Sequence, residues 1–227
     1  MIPVIGTAYI TRSDLLVELV KSINRPVQDI VIIDNSPDDT CPRVDDALTV
    51  KMHRNAGVSA AWNLIIKTKP KAAWWCIVNS DVAFGPDDLE VLEKNMEMGS
   101  DLVLLESFAA FGISRDCIKA VGWFDEMFVP AYCEDNDYIY RARLMGVQPV
   151  FLPSGKKHYG SATLKSSPWA QQQNNRTYQL NVDRYIRKWG GRMHSETFTT
   201  PFDKGGSPRD CETLDIDRLA ELSWDEA

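Results

Sequence analysis

The chain has 227 residues, 44% of them hydrophobic, so it is long enough to bury the core of one large α/β domain. Its formal net charge is -7 and acids concentrate near the C-terminal end, which argues against nonspecific binding of nucleic acid. A negatively charged substrate would need local help, such as a metal ion. No apolar run reaches the ~20 residues that span a membrane, and the first residues lack a signal-peptide pattern.

Five cysteines are scattered along the chain without a CxxC pair, at positions 41, 76, 117, 133 and 211. An odd set of this kind indicates free thiols in a reducing compartment and argues against a structural zinc site. We therefore expect a soluble, intracellular protein located in the cytoplasm.

Short apolar or β-branched runs alternate along the chain with segments of helical periodicity. Strands are expected at residues 2–8, 29–34, 48–52, 74–79, 101–105, 108–114 and 147–152. Helices are expected at 14–24 with Ser13 as the N-cap, at 58–68, from Pro86, from about Glu134, and at 168–191. This alternation predicts an α/β fold with a mostly parallel central sheet flanked by helices.

The residues after the last predicted helix differ in character from the rest. Residues 192–227 mix turn formers with acids, and we interpret them as an acidic C-terminal tail or linker that follows a domain of residues 1–191. An ordered flap and a connection to further domains are both compatible with this composition.

Polar residues follow three of the predicted strands at the point where each strand ends. They are Thr7, Ala8 and Tyr9 after the first, Asp34, Asn35 and Ser36 after the second, and Asn79, Ser80 and Asp81 after the fourth. Ligands of doubly wound sheets bind at the carboxyl ends of the strands, so these clusters predict a site at that edge. Each cluster taken alone is also explained by local turn and cap preferences.

The common phosphate-binding loops are missing from the sequence. Neither GxGxxG nor GxxxxGK[ST] follows the first strand, which argues against a hydride-transfer enzyme and a P-loop phosphotransferase. A divalent cation would serve as the anchor for a phosphate-bearing ligand, since Mg²⁺ or Mn²⁺ can be held by one or two protein ligands together with substrate phosphates. Asp81 is the first candidate ligand and His158 the second, although a lone histidine is more often an ordinary surface or core residue.

Glu134, Asp135 and Asp137 place three carboxylates within four positions at the start of a predicted helix. Acids in a first helical turn are favoured by the helix dipole, and this alone explains them in one interpretation. In the other, they are more than a helix start needs, and they directly follow GWFDEMF, an apolar segment that could form the wall of a pocket. A stripe along the helix joins Glu134 and Asp137 with Arg141, while Asp135 points in another direction.

Taken in this order, the segments resemble the GT-A fold glycosyltransferases, a Rossmann-like class, and in particular the inverting family-2 type that includes bacterial rhamnosyltransferases. The resemblance covers roughly residues 1–191. The matching segments are GTAYITR (6–12), VIIDNSPDD (31–39), NAGVSAAWN (55–63), IVNSDVAFGPDDLEVL (77–92), GWFDEMFVPAYCEDNDYIYR (122–141) and HYGSAT (158–163).

The resemblance implies the residues of the donor site. The nucleotide and the donor sugar would be bound by Thr7, Tyr9, Asp34, Asn55, Gly57, Asn63 and Asn79. In that set, Asp34 would accept a hydrogen bond from the uracil imide. Asp81 matches the last acid of the family's DxD motif, which binds the metal ion on the diphosphate, and His158 would be the second ligand of the Mn²⁺ or Mg²⁺ cofactor. The motif here is Asn-Ser-Asp, and a neutral asparagine is a weaker cation ligand than aspartate.

The resemblance also implies the catalytic and acceptor residues. Asp135 matches the aspartate of the family's ED motif and would be the general base, while Trp123, Glu134 and Asp137 would bind or orient the acceptor. Sugar rings could also stack on the faces of Trp62, Trp123, Tyr132 and Trp169, although core packing is the commoner role of such residues.

The implied activity is an inverting, metal-dependent transfer of a sugar from a UDP- or dTDP-sugar to a hydroxyl of a glycan or another acceptor. One alternative is a noncatalytic nucleotide-sugar-binding module, which Asn79 in the metal motif favours. A sugar nucleotidyltransferase is another, but its expected glycine-rich basic loop near the first strand is not matched by GTAYITRSD.

Overall fold

The computed structural model of the chain describes residues 1–160, 168–209, 216, 217 and 219. Its strands are β1 (Ile2–Tyr9), β2 (Val27–Asp34), β3 (Ala47–Lys51), β4 (Trp74–Asn79), β5 (Val82–Ala83), β6 (Leu102–Leu105), β7 (Ser107–Ser114), β8 (Val150–Leu152) and β9 (Lys157–His158). Its helices are α1 (Ser13–Ser22), α2 (Val58–Thr68), α3 (Asp88–Glu97), α4 (Arg115–Val121), α5 (Glu134–Leu144) and α6 (Pro168–Trp189), followed by a short 3₁₀ helix (Pro201–Asp203).

A seven-stranded sheet forms the centre of the molecule in the order β3-β2-β1-β4-β7-β6-β8. Its strands run parallel apart from β7, which is antiparallel to both of its neighbours. The start of β7 therefore lies at the same edge as the carboxyl ends of β1, β2 and β4. Strands β5 and β9 form a separate antiparallel pair. The predicted α/β fold with a mostly parallel, helix-flanked sheet is confirmed.

Helices cover both faces of the sheet because successive strand residues point to opposite sides. On β2, Val31 and Ile33 belong to the apolar cluster that includes α2, α4 and α5, while Ile32 belongs to the cluster that includes α1 and α3. Burial on both faces explains why the strands are apolar almost throughout.

Several predicted element boundaries differ from the structure. The expected N-cap Ser13 is the first residue of α1, and Arg12 precedes it in a left-handed conformation with a φ of 67°. The Arg12 guanidinium instead bonds Asp14 at 2.6 and 2.8 Å. Pro86 lies two residues before α3 rather than in its first turn. Helix α4 was not predicted, because its two turns are too short for a periodic pattern; Ser114 caps it by accepting from the Cys117 amide at 2.9 Å.

Some of the described residues after 191 contact the body of the molecule. The amides of Thr197 and Phe198 both donate to the Trp189 carbonyl at 3.0 Å. Farther along, Ile216 is 2% exposed within the core, and Asp217 pairs with Lys119 at 2.9 Å. The domain boundary at 191 stays a prediction, but Thr197, Phe198, Ile216 and Asp217 beyond it contact the predicted domain. In the described parts of the chain, none of the helices combines the length and apolar character that crossing a membrane requires.

Candidate functional site

A cavity of about 310 Å³ opens at the carboxyl edge of the sheet, and we call it the sheet-edge cavity. It lies between the ends of β1 and β4, the start of β7, and the N-terminal turns of α2 and α5. Its lining residues are Ala8, Tyr9, Ile10, Asn35, Asn55, Gly57, Val58, Trp62, Asn79, Ser80, Asp81, Ser107, Phe108, Ala109, Pro130, Ala131, Tyr132, Glu134, Asp135 and His158.

Strand register brings the first polar clusters together. Tyr9 pairs with Asp34 across β1 and β2, and Ala8 pairs with Asn79 across β1 and β4. Tyr9 and Asn79 line the cavity, and the Tyr9 hydroxyl donates to the Thr40 carbonyl at 2.9 Å. The three polar clusters that follow β1, β2 and β4 therefore lie at one edge of the sheet.

Asp34 lies behind the cavity lining and is held by its neighbours. Its carboxylate accepts from the Ser36 amide at 2.9 Å and from the Ser36 hydroxyl at 2.5 Å, and it pairs with the Lys51 ammonium at 3.0 Å. Thr7 is also 3% exposed and outside the lining, and its hydroxyl has no hydrogen-bond partner among the described residues. Asn35, next to Asp34, lines the cavity instead.

The turn before α2 contributes Asn55 and Gly57. The Asn55 side chain accepts from the Gly57 amide at 3.0 Å, and Gly57 has a φ of 91°, which favours glycine. A Cβ at Gly57 would lie 3.0 Å from the Pro130 carbonyl oxygen, which also accepts from the Val58 amide at 2.8 Å. This glycine therefore allows the loop of residues 130–132 to approach the start of α2.

Asn63 lies outside the cavity. Its amide bonds both the carbonyl and the amide of Phe124, at 2.9 and 3.0 Å, and donates to the Glu126 carboxylate at 2.9 Å. The side chain is 0% exposed. The structure thus makes Asn63 a link between α2 and the segment before α5, outside the cavity lining.

Strands β5 and β9 bring together the two predicted metal ligands. Val82 pairs with His158, and the Tyr159 amide donates to the Asp81 carbonyl at 3.0 Å. As a result, the His158 Nε2 lies 3.5 Å from the Asp81 Oδ1 at the cavity wall. In the described part of the chain, no three His, Cys, Asp or Glu side chains form a group that could hold a metal. One carboxylate and one imidazole can be two of the ligands of a divalent cation, with oxygens of a phosphate group or of water in the remaining positions.

Asp88 supports this pair from outside the cavity. It accepts hydrogen bonds from the Gly85 amide at 2.7 Å and from the Ser154 hydroxyl and Gly155 amide, each at 2.9 Å. These bonds join the segment after β5 to the loop that leads into β9 and His158. The sequence placed Asp88 near a helix start, but nothing in it indicated the distant partners.

Glu134 and Asp135 line the cavity at the start of α5. Burial, reinforced by the nearby Asp135 charge, raises the pKa of Glu134 to about 8. Its Oε2 is buried without a hydrogen-bond partner among the described residues. Burial also raises the pKa of Asp135, although its Oδ1 accepts from the Asn136 amide and side chain at 2.8 and 2.7 Å. The helix dipole at this position is predicted to favour the ionised forms, whereas burial raises both pKa values.

The chain enters α5 through an uncommon backbone conformation. Tyr132 and Cys133 have φ values of 78° and 74°, in a region that residues other than glycine rarely adopt. Such conformations carry a cost and often occur at functional sites. Here they turn the chain so that Tyr132, Glu134 and Asp135 all face the cavity.

Two of the predicted acceptor residues, Asp137 and Trp123, lie outside the cavity lining in the structure. Asp137 is 0% exposed and is bound by Arg141 at 2.9 Å, Lys188 at 2.7 Å and the Trp189 indole at 2.8 Å. Trp123 is 1% exposed within the core. Neither lines the cavity, because burial and internal partners keep both away from it.

The other aromatic candidates lie in different surroundings. Trp62 lines the cavity but is 2% exposed and packs on Phe108 and Phe124, so it forms part of the wall. Tyr132 lies at the cavity, and the side chain of Trp169 lies outside the described residues.

Several of the lining residues are not among the site residues predicted from the sequence. Asn35 is one of them, and its position in the polar cluster after β2 is the signal that indicates it. Ser107 and Phe108 reach the cavity because β7 runs antiparallel, which the residue pattern does not indicate.

No protein-family model matches the chain. Among curated proteins, a galactofuranosyl glycosyltransferase of Leishmania donovani is 33% identical over 138 residues, covering 52% of this chain and 32% of the relative. The chain therefore spans about a third of the length of that relative.

Solved structures with the same fold include two complexes with UDP. S. aureus TarS 1-349 with UDP has a TM-score of 0.57 at 16% identity, covering 80% of this chain and 65% of that one. GalNAc-T7 with UDP, GalNAc and Mn²⁺ has a TM-score of 0.58 at 11% identity, covering 82% of this chain and 50% of that one. The chain therefore has the fold of the GT-A glycosyltransferases, and its sequence is similar to that of a named glycosyltransferase.

Proposed function

We propose that this chain carries the catalytic part of a glycosyltransferase that moves a sugar from a UDP- or dTDP-sugar to a hydroxyl of a glycan or another acceptor. The observation that carries the proposal is that one cavity is lined by both the Asp81 and His158 pair and the Glu134 and Asp135 pair. The similarity to a galactofuranosyl glycosyltransferase and to UDP-bound structures supports the same class.

The donor side of the proposed site is the part of the cavity at the carboxyl ends of β1, β2 and β4. Tyr9, Asn35, Asn55, Gly57 and Asn79 line it and would contact the nucleotide and the donor sugar. We assign Thr7, Asp34 and Asn63, which lie outside the lining, to supporting positions. Lys51 and Ser36 hold Asp34, so any contact between Asp34 and the base would be made by a carboxylate already fixed in place.

Asp81 and His158 are the residues that would hold Mn²⁺ or Mg²⁺. Such a cation, when bound, stabilises the negative charge of the departing nucleoside diphosphate. The Mn²⁺ in the GalNAc-T7 structure supports this proposal by analogy. Asn79 stands where an acid is expected, so the chain itself supplies little negative charge to the cation.

Asp135 would accept the proton of the acceptor hydroxyl. The oxygen of that hydroxyl forms a bond to the anomeric carbon of the donor sugar from the face opposite the diphosphate. The bond between the anomeric carbon and the diphosphate oxygen breaks, and the configuration at this carbon inverts. The raised pKa makes Asp135 a stronger base than an exposed aspartate. Glu134, with a pKa of about 8, is uncharged at neutral pH and would donate a hydrogen bond to a substrate oxygen rather than act as a second base.

Asn79 also favours a second function, a noncatalytic module that binds nucleotide sugars. Such a module would use the same cavity but would not need a buried acid pair.

The free thiols of Cys41, Cys76, Cys117 and Cys133 support the proposed reducing, cytoplasmic location of either kind of protein.

A donor panel tests the function directly. UDP- and dTDP-sugars, including UDP-galactofuranose and UDP-GlcNAc, are titrated by calorimetry with and without Mn²⁺, and UDP or dTDP release is then measured with neutral glycan acceptors. We expect one donor to bind in a Mn²⁺-dependent manner and to be turned over. Binding without turnover would indicate the noncatalytic module. In a parallel reaction that contains UTP and a sugar phosphate, formation of pyrophosphate would indicate a nucleotidyltransferase. No binding of any donor would refute the transferase.

A further inference from the structure

Two tyrosine rings meet beside the sheet-edge cavity. Tyr132 lines the cavity, and its ring lies 5.4 Å from that of Tyr178 on α6, with an angle of 85° between the ring planes. Tyr178 is 47% exposed. The two rings therefore form an aromatic corner that begins at the cavity and continues onto the surface.

Helix α6 presents Tyr178 at the open end of a buried face. Val182, Tyr185 and Trp189 follow Tyr178 at three- and four-residue steps, and they pack in the cluster that includes Phe128. Tyr185 and Trp189 are 2% and 0% exposed, so this face is covered along its second half. Tyr178 continues the same face but remains open to solvent.

The corner is fixed in position relative to the proposed base. The Asn181 side chain donates to the carbonyls of Val129 and Ala131, at 3.3 and 2.9 Å, which ties α6 to the loop before α5. Two residues separate Tyr132 from Asp135, and both face the cavity. A ligand on the tyrosine rings would therefore lie beside the carboxylate that accepts the proton.

The chemistry of the corner suits a sugar ring without charge. The faces of aromatic rings are electron-rich, and the C–H groups on one side of a sugar ring carry small positive charges. The hydroxyl groups at the rim of the sugar can then bond the Glu134 and Asp135 carboxyls. An anionic sugar would be repelled by the carboxylate that the proposed function assigns to Asp135.

We propose that Tyr132 and Tyr178 form the acceptor platform, on which a neutral sugar ring of the acceptor stacks with one hydroxyl directed to Asp135. The inference rests on the proposed function, because it assigns the acceptor to the same cavity. It adds a residue from α6, Tyr178, that is not among the residues that line the cavity.

The test measures binding rather than turnover. Saturation-transfer NMR is recorded on the full chain with UDP and Mg²⁺, using methyl β-galactofuranoside, methyl β-galactopyranoside and the anionic methyl β-glucuronide as probes. We expect at least one neutral glycoside to bind and the glucuronide to bind more weakly. Tyr178→Ala should weaken neutral binding by about tenfold, since it removes one apolar contact face, whereas Tyr178→Phe should retain it.

Phe151→Ala is the matched control, because Phe151 is a similarly exposed aromatic residue, at 53%, on the edge strand β8. It should leave glycoside binding unchanged. UDP binding, measured by calorimetry in the same samples, separates the two proposals. If the wild type does not bind UDP, the proposed function is refuted. Normal UDP binding together with either no glycoside binding to the wild type or unaltered binding to Tyr178→Ala overturns the acceptor platform.

Discussion

Two adjacent carboxyl groups, on Glu134 and Asp135, have different surroundings at the start of α5. Glu134 is 6% exposed and its Oε2 has no hydrogen-bond partner among the described residues, whereas the Asp135 Oδ1 accepts two hydrogen bonds from Asn136. Burial raises the pKa of both, that of Glu134 to about 8. At neutral pH Glu134 is therefore protonated and can donate a hydrogen bond, while the proposed function assigns the proton-accepting role to Asp135.

The raised pKa of Glu134 predicts a pH-dependent effect of Glu134→Gln on stability. Folding takes up a proton between the ordinary value of 4.5 and the folded value of about 8, so the wild type loses stability as pH rises through that window. Glutamine has no charge to bury, so the stability of Glu134→Gln does not fall in this way. The free energy of unfolding of Glu134→Gln minus that of the wild type should therefore grow by about 1.4 kcal/mol per pH unit and then level off above pH 8. Urea unfolding without ligands at several pH values measures this, and a constant difference would contradict it.

The sequence predicted that Glu134 and Asp135 belong to a site, but not the protonation state of either. Their positions within EDND follow from the chain alone. Their pKa values depend first on burial, which exists only in the folded molecule. The same reason explains why Asp137, two positions later, was assigned to the acceptor, although Arg141 and Lys188 bind it inside the protein.

At the scale of elements, the pair of short strands β5 and β9 positions the proposed metal ligands. It is held by Asp88 and by close contact between two backbone segments. A Cβ at Gly85 would lie 2.6 Å from the Gly155 carbonyl carbon, whereas a Cβ at Gly155 would meet its nearest atom, in Gly85, at 3.7 Å. The close approach of the two backbone segments therefore requires glycine at position 85 but not at position 155.

Gly85→Ala should therefore disturb the Asp81 and His158 pair. We expect it to weaken Mn²⁺-dependent UDP binding about tenfold, as found when groups that orient metal ligands are lost, and to destabilise the fold by ~1–3 kcal/mol. Calorimetric titration and thermal unfolding measure these effects. Gly155→Ala is the matched control and should bind UDP as the wild type does. Equal binding by both variants would show that the close contact does not position His158.

Most of the elements could be predicted because their residue patterns repeat at 2 or about 3.6 positions. The direction of β7 could not, since an apolar strand has the same pattern in either orientation. That reversal brings Ser107 and Phe108 to the cavity, so these two lining residues were missed for a reason of topology.

At the scale of the whole molecule, a buried charge network joins α6 to the region before and within α5. The Lys188 ammonium lies 2.9 Å from the Asp125 carboxylate and 2.7 Å from that of Asp137. Burial alone would raise the pKa of Asp125, but attraction and a hydrogen bond from Lys188, with help from Arg184, lower it to about 2. The network connects a helix near the end of the predicted domain to the segment that carries the proposed base.

Lys188→Met should destabilise the fold strongly because it leaves two buried carboxylates without this cation. Breaking a buried ion pair by removing one partner costs ~3–5 kcal/mol, so we expect a loss of that order in urea unfolding at neutral pH. Arg187→Met, one position earlier on the exposed side of the same helix, should change stability by no more than about 0.5 kcal/mol. Equal effects of the two substitutions would contradict a structural role for the network.

The C-terminal region was the least predictable part of the chain. Its acids and turn residues indicated a tail or linker, yet the Tyr140 hydroxyl donates to the Phe198 carbonyl at 2.9 Å, and Ile216 is buried in the core. Composition reports average polarity, whereas docking depends on a few apolar residues at the right positions. Local patterns contain little information of that kind.

The most direct test of the shared cavity compares Asp135→Asn with the wild type in donor binding and in sugar transfer. With Mn²⁺ present, we predict unchanged affinity for the donor sugar nucleotide and a ~10²–10⁴-fold lower rate of transfer, the range expected when a general base is lost. Asp116→Asn, at a surface acid with 82% side-chain exposure, serves as the control and should retain full activity. Transfer by Asp135→Asn at the wild-type rate would contradict the assignment of Asp135 as the base at this cavity.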